Sequence, residues 1–100
     1  MHNGKPRFDL GRLLATPGAL RAMGEAGQTP LDFISRHAVG DWGDELCEED
    51  KKLNDEALVD GSRILSAYRL NTGEKLWVIT EACDDQGRRA CSTILKPEEY

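Results

Sequence analysis

The residues best placed to do chemistry lie between 40 and 55, in "GDWGDELCEEDKKLND". Asp41, Asp44, Glu45, Glu48 and Glu49 crowd around Trp42 and Cys47. Clustered carboxylates can supply oxygens to a hard cation. One of them, given a raised pKa in a partly apolar pocket, can act as a general acid or base. Asp41 and Asp44 with His37, beside Trp42, are the set such an acid–base site would use. The spacing fits neither chemistry well. A calcium loop needs acids at alternate positions, a central glycine and a bidentate glutamate at position twelve. Consecutive acids at a helix start are ordinarily solvated, since the positive end of the helix dipole favours each exposed carboxylate by about 0.3–1 kcal/mol. The stretch therefore reads as a solvated helix start first and a surface for a protein partner second. Glu45, Glu48, Glu49, Asp55 and Glu56 are the residues expected to meet that partner, and their sign calls for a basic one. No catalytic residue is assigned.

Three cysteines and a histidine form a second set. Cys47, Cys83, Cys91 and His37 have the composition of a zinc shell, but they are spaced as no knuckle or ribbon is. Cys83 and Cys91 flank a hairpin and could face each other across two strands. Free thiols without metal or cofactor are expected, and His37 reads as a favourable charge at a helix C-terminus. The serines show no GxSxG elbow. "GDWG" places acids where a phosphate loop needs bare N–H groups and a lysine. Arg63, Arg69, Arg88 and Arg89 fall in the last forty residues and are the candidates for contact with nucleic acid. Aromatic interleaving is absent there, so nucleic acid is not the expected partner.

These residues must be carried by a small number of elements. "FDLGRLLAT" (8–16) predicts a short strand with Gly11 as a bulge. Two Thr-Pro helix starts follow. Thr16 caps a helix with Pro17 at its first position and Gly27 as its stop, its apolar stripe being Ala19, Leu20 and Met23. Thr29 and Pro30 open a second helix that ends at Gly40. Trp42 is the one large apolar group in the connector 40–46 and is expected to anchor it. A third helix is predicted from Cys47 or Glu48 to Asp60, with Leu53, Ala57 and Leu58 buried and Gly61 just past its end. The period then changes to two. "SRILSAYRL", "KLWVITEAC" and "ACSTILKP" read as three strands of an antiparallel meander with turns at "NTGE" and "DDQGRR". "KLWVITEAC", apolar on both faces, is the expected central strand, and Pro97 stops the last one. The fold class is α+β: a short first strand, three helices, then the meander, with the helices packed on one face. Where the first strand joins is open.

One hundred residues allow one hydrophobic core, so the expected organisation is a flexible N-terminus over 1–6 and a single domain over 7–100. The net charge of −5 is uneven: 41–60 holds nine acids against Lys51 and Lys52, while 61–100 is balanced. That argues against nonspecific phosphate binding through the acidic face. No run is long and apolar enough for a membrane span, and "MHNGKPRFDL" has no apolar signal region. With three cysteines and no export signal, a cytoplasmic location with reduced thiols is expected.

"LGRLLATPGAL", "GDWGD", "CEEDKKLNDEAL", "RILSAY", "GEKLWVITEA" and "STILKPEEY" together resemble a family of short bacterial proteins. Its members occur in chromosomes, plasmids and phage-like elements and are mostly called hypothetical or plasmid-related. The resemblance covers about 8–100. It implies an accessory role on mobile DNA and carries no catalytic residue. Some relatives bear an automatic label as a type I restriction-modification subunit. This chain is too short for a methyltransferase domain and has no Asn-Pro-Pro-Tyr-like motif. Three classes of function follow: a non-catalytic interaction protein, whose sharper form is an acidic DNA-mimic inhibitor of a nuclease or restriction system; a small acid–base enzyme near Trp42; and a nucleic-acid binder using the four arginines.

Overall fold

The computed structural model describes residues 5–100 and contains three helices and one four-stranded mixed sheet. The first four positions of the expected flexible N-terminus lie outside the described residues; Arg7 is already docked, its N–H donating to the Ala38 carbonyl at 2.8 Å. The elements are β1 (Arg12–Ala15), α1 (Pro17–Ala26), α2 (Pro30–Ala38), α3 (Glu48–Asp60), β2 (Ile64–Arg69), β3 (Lys75–Thr80) and β4 (Cys91–Leu95), followed by a single 3-10 turn (Pro97–Glu99).

The helix starts follow from local chemistry. Thr16 Oγ1 accepts from the Ala19 N–H at 3.1 Å, and Thr29 N–H donates to Asp32 Oδ2 at 2.8 Å. Each satisfies a group that the first helical turn would leave without a partner. α1 and α3 end where Gly27 and Gly61 adopt left-handed backbone.

β2, β3 and β4 form the antiparallel meander, with β3 inside it. The first strand is shorter than expected and pairs parallel to β4, giving the order β1-β4-β3-β2. The sheet is therefore mixed, not purely antiparallel. Gly11 precedes the strand at φ +64, where a Cβ would lie 2.4 Å from the Arg89 carbonyl oxygen, so the chain reaches β4 only through glycine. α1 and α2 cover one sheet face. Ala19, Ala22 and Met23 of α1 and Phe33 and Ile34 of α2 meet Tyr68, Leu76, Val78 and Ile94. Leu20, expected inside, is half exposed.

α3 departs from the expected packing. It runs beside the β2 edge instead of lying on the face that α1 and α2 cover. Leu53, predicted buried, is 59% exposed, and the inward residues are Asn54 and Ala57. Asn54 Nδ2 donates to the Leu65 carbonyl at 2.6 Å while the Leu65 N–H donates to Asn54 Oδ1 at 3.1 Å. One side chain thus takes the place of a neighbouring strand at that residue. The gain from satisfying two edge peptide groups outweighs burying one leucine, and it sets the helix's rotation. Asn54→Ala leaves both groups without partners and is expected to cost about 1–3 kcal/mol in a denaturant melt; a loss within about 0.5 kcal/mol would mean that water replaces the amide.

Candidate functional site

The chemistry-bearing residues that the fold brings together are at its centre. His37 comes from the last turn of α2 and is fully buried, as are Ser66 of β2, Thr80 of β3 and Ser92 of β4. Thr80 lies opposite Ser92 in the β3–β4 register, and Ser66 is on the neighbouring strand. His37 Nδ1 is 2.5 Å from Ser66 Oγ and Nε2 is 2.8 Å from Thr80 Oγ1. Thr80 Oγ1 is 2.6 Å from Ser92 Oγ, which donates to the Leu10 carbonyl at 2.7 Å.

Counting protons fixes the direction of this chain. Ser92 gives its hydrogen to Leu10, so Thr80 must donate to Ser92. Thr80 must then accept, so His37 carries its proton on Nε2. In a neutral ring Nδ1 is the acceptor and Ser66 the donor. Burial, with the nearby Arg89 charge, pushes the His37 pKa down to about 3, so the ring is neutral. His37 is thus a satisfied core group and not the exposed helix-terminal charge expected from its position. Phe8 meets it edge-on at 5.2 Å and Trp42 at 5.8 Å, which closes the ring off from solvent.

The Ser66–His37 contact has the distance of a nucleophile and its base. Both side chains are fully buried, so no substrate atom reaches Ser66 Oγ in this structure. The proposed acid–base set near Trp42 does not converge. Arg36 clamps Asp41 at 2.7 and 3.2 Å, Asp44 is exposed and His37 is inside. Asp41 also gives its carbonyl to the Tyr68 hydroxyl at 2.6 Å. Trp42 is 5% exposed, as a lone large apolar group in a polar connector should be, and its Nε1 donates to Asp55 Oδ1 at 3.1 Å. Gly43, at φ +92, sits so close to Ala67 that a Cβ would lie 2.0 Å from its carbonyl oxygen. "GDWGD" is a clasp over the core edge.

The five acids expected to meet a partner divide. Glu45 is bound to Arg69 at 2.8 Å and Asp55 to Trp42, so neither is simply solvated. Glu48, Glu49 and Glu56 are exposed on α3, and Glu48 makes only a long ion pair of 3.7 Å with Lys51. The four arginines are more dispersed still. Arg69 is held by Glu45, and Arg63 by the Tyr100 ring and hydroxyl. Arg89, placed by sequence at a hairpin tip, is 5% exposed. Its guanidinium donates to the carbonyls of Ser62, Glu81 and Ala57. Arg88 alone of the four is exposed without a side-chain partner among the described residues. These four do not form a phosphate-binding face.

Cys83 pairs with Arg89 across the hairpin and not with Cys91, and all three cysteines are free thiols. Among the described residues no group of three or more His, Cys, Asp or Glu is arranged to hold a metal ion, and no helix is long and apolar enough to cross a membrane. Sequence reasoning missed the Ser66–His37–Thr80–Ser92 chain. Its signal was present: a small hydroxyl at an inward position of each meander strand, and a histidine on the apolar side of a helix.

Compared with known proteins, the chain matches no family model, no curated protein sequence and no solved structure.

Proposed function

We propose that this protein is a non-catalytic, cytoplasmic interaction protein that binds a basic partner through the outer face of α3. The observation that carries the reading is the exposure of Val59 (90%) and Leu53 (59%) among carboxylates on that helix. Glu49, Leu53, Glu56 and Asp60 follow one another at helical spacing, and Val59 borders them. A helix that only has to be solvated gains nothing from these two apolar groups. Leu53 and Val59 lie about 120° apart around the helix with Glu49, Glu56 and Asp60 between them, which suits a partner that sets apolar contacts on either side of lysines or arginines. A phosphate mimic has no use for the apolar groups, so the reading is preferred to a DNA-mimic inhibitor. The resemblance to plasmid-related proteins adds an accessory role on mobile DNA.

The test is comparative capture from the native host. Leu53→Ser with Val59→Ser should change stability by no more than about 0.5 kcal/mol each, because both are exposed. The same pair should abolish capture of a basic partner that the unaltered protein retains. Glu49→Gln with Glu56→Gln should slow association, as should added salt. A partner set identical for all variants would sink the reading.

A further inference from the structure

The two edges of the sheet are treated differently. On β2 the outward peptide groups are used inside the protein: Asn54 takes both groups of Leu65, and the Ala67 N–H donates to the Trp42 carbonyl at 3.0 Å. On β1 they are not. The Arg12 N–H donates to Ala90 and the Thr16 N–H to Ile94, both toward β4, so by alternation Leu13 and Ala15 point their peptide groups outward. Among the described residues no strand pairs with that edge. β1 is only four residues long and carries Arg12, but the rest of this edge is apolar. Leu13 is 57% and Leu14 42% exposed. Beside them an apolar groove of about 310 Å³ opens between β1 and α2, lined also by Pro30, Leu31 and Ile34, with Leu31 70% exposed.

We infer that this edge is completed by the same edge of a second copy of the chain, giving a two-fold dimer with a continuous eight-stranded sheet. Charge complementarity between Arg12 and Glu99, in one register of β1 against its own copy, argues for this occupant. With the two-fold axis at Leu14, antiparallel pairing sets Leu13 opposite Ala15 of the other copy, and Ala15 opposite its Leu13. These are the outward-pointing residues, so both pairs exchange N–H···O bonds in each direction. The same register sets Arg12 opposite the other copy's Thr16. The Thr16 hydroxyl donates to Glu99 Oε1 at 2.7 Å, so a carboxylate waits there for the exposed guanidinium. Each contact occurs twice, as an isologous interface requires. The groove beside β1 receives the apolar side chain that the added strand presents to the same sheet face. The dimer leaves both α3 faces free, since α3 lies at the opposite edge of the sheet.

Sedimentation equilibrium over a range of protein concentrations tests the inference. The unaltered chain should associate to a dimer and no further. Leu14→Glu places two carboxylates across the axis and should weaken the dimer by at least about tenfold. Arg12→Glu opposes Glu99 and should do likewise. Both sites are exposed, so circular dichroism melts of the monomers should match. Amide hydrogen exchange of the unaltered chain is the second measurement: Leu13 and Ala15 should become protected as concentration rises, and Leu65 should not change. A monomer at every concentration would overturn the inference and leave the edge for an extended segment of another protein. So would a dimer indifferent to both variants, or exchange at Leu13 and Ala15 independent of concentration.

Discussion

Acidification should cost this protein stability well before its carboxylates are neutralised. The folded pKa of His37, about 3, lies below the 6.5 of an unperturbed histidine, so below pH 6.5 the unfolded chain binds a proton that the folded one refuses. Stability is therefore complete above about 6.5. It falls by about 1.4 kcal/mol for each pH unit below that and levels off near 3, a total of about 5 kcal/mol. A domain of this size has only about 5–15 kcal/mol to lose. The Ser66 hydroxyl can turn to accept from a charged ring, but burial and the like charge of Arg89 still oppose that charge. Urea melts between pH 7 and pH 5 isolate the effect: Asp60, Glu98 and Glu99 have pKa values lowered from the ordinary carboxylate range and are still ionised there. The expected result is a slope in the unaltered protein that His37→Gln removes. A flat profile over that interval would show that the ring is hydrated or charged in the folded state.

Replacing Arg89 should be nearly as damaging. Arg89 is buried and its guanidinium is held by carbonyl oxygens, with the exposed Asp60 close enough to feel its charge. Nη1 reaches Ser62 at 2.7 Å and Glu81 at 3.0 Å, and Nη2 reaches Ala57 at 3.1 Å. Ala57 belongs to the last turn of α3, where the negative end of the helix dipole adds to the attraction. The one side chain thus ties the end of α3 to the β3–β4 hairpin and stacks 5.7 Å from the Phe8 ring centre. Arg89→Met fills similar volume but takes this donor from the Ser62 and Glu81 carbonyls, while Ala57 keeps the Gly61 N–H at 2.9 Å; the expected cost is about 3 kcal/mol. Arg89→Lys recovers only part of it, since a point charge cannot span acceptors set for a planar fork. Thermal melts give the ranking, unaltered above Lys above Met. Because Arg89 also depresses the His37 pKa, the acid-dependent loss in the Lys and Met variants can be compared with the unaltered slope. A Met variant within about 1 kcal/mol of the unaltered protein would mean that water satisfies the carbonyls.

Local signals were legible because their physics is local. Thr16-Pro17 and Thr29-Pro30 start helices through bonds made within three residues, and Gly27 and Gly61 end them through their own backbone freedom. The β2–β3–β4 meander could be read from alternation and turn residues, because neighbouring strands joined by short turns pair with each other. Trp42 was legible from its isolation in a polar stretch.

Tertiary structure alone decided where β1 pairs, which way α3 faces and which polar groups lie inside. Each depends on partners far apart in the chain. β1 meets β4 across 79 positions, Arg12 beside Cys91. Asn54 turns inward for a peptide group eleven residues away, and so Leu53 turns out. His37 and Arg89 have the composition of surface residues, and periodicity assigns them no interior partner. They are buried because hydroxyls and carbonyls from three or more separate segments converge on them, and that convergence exists only once the sheet has formed.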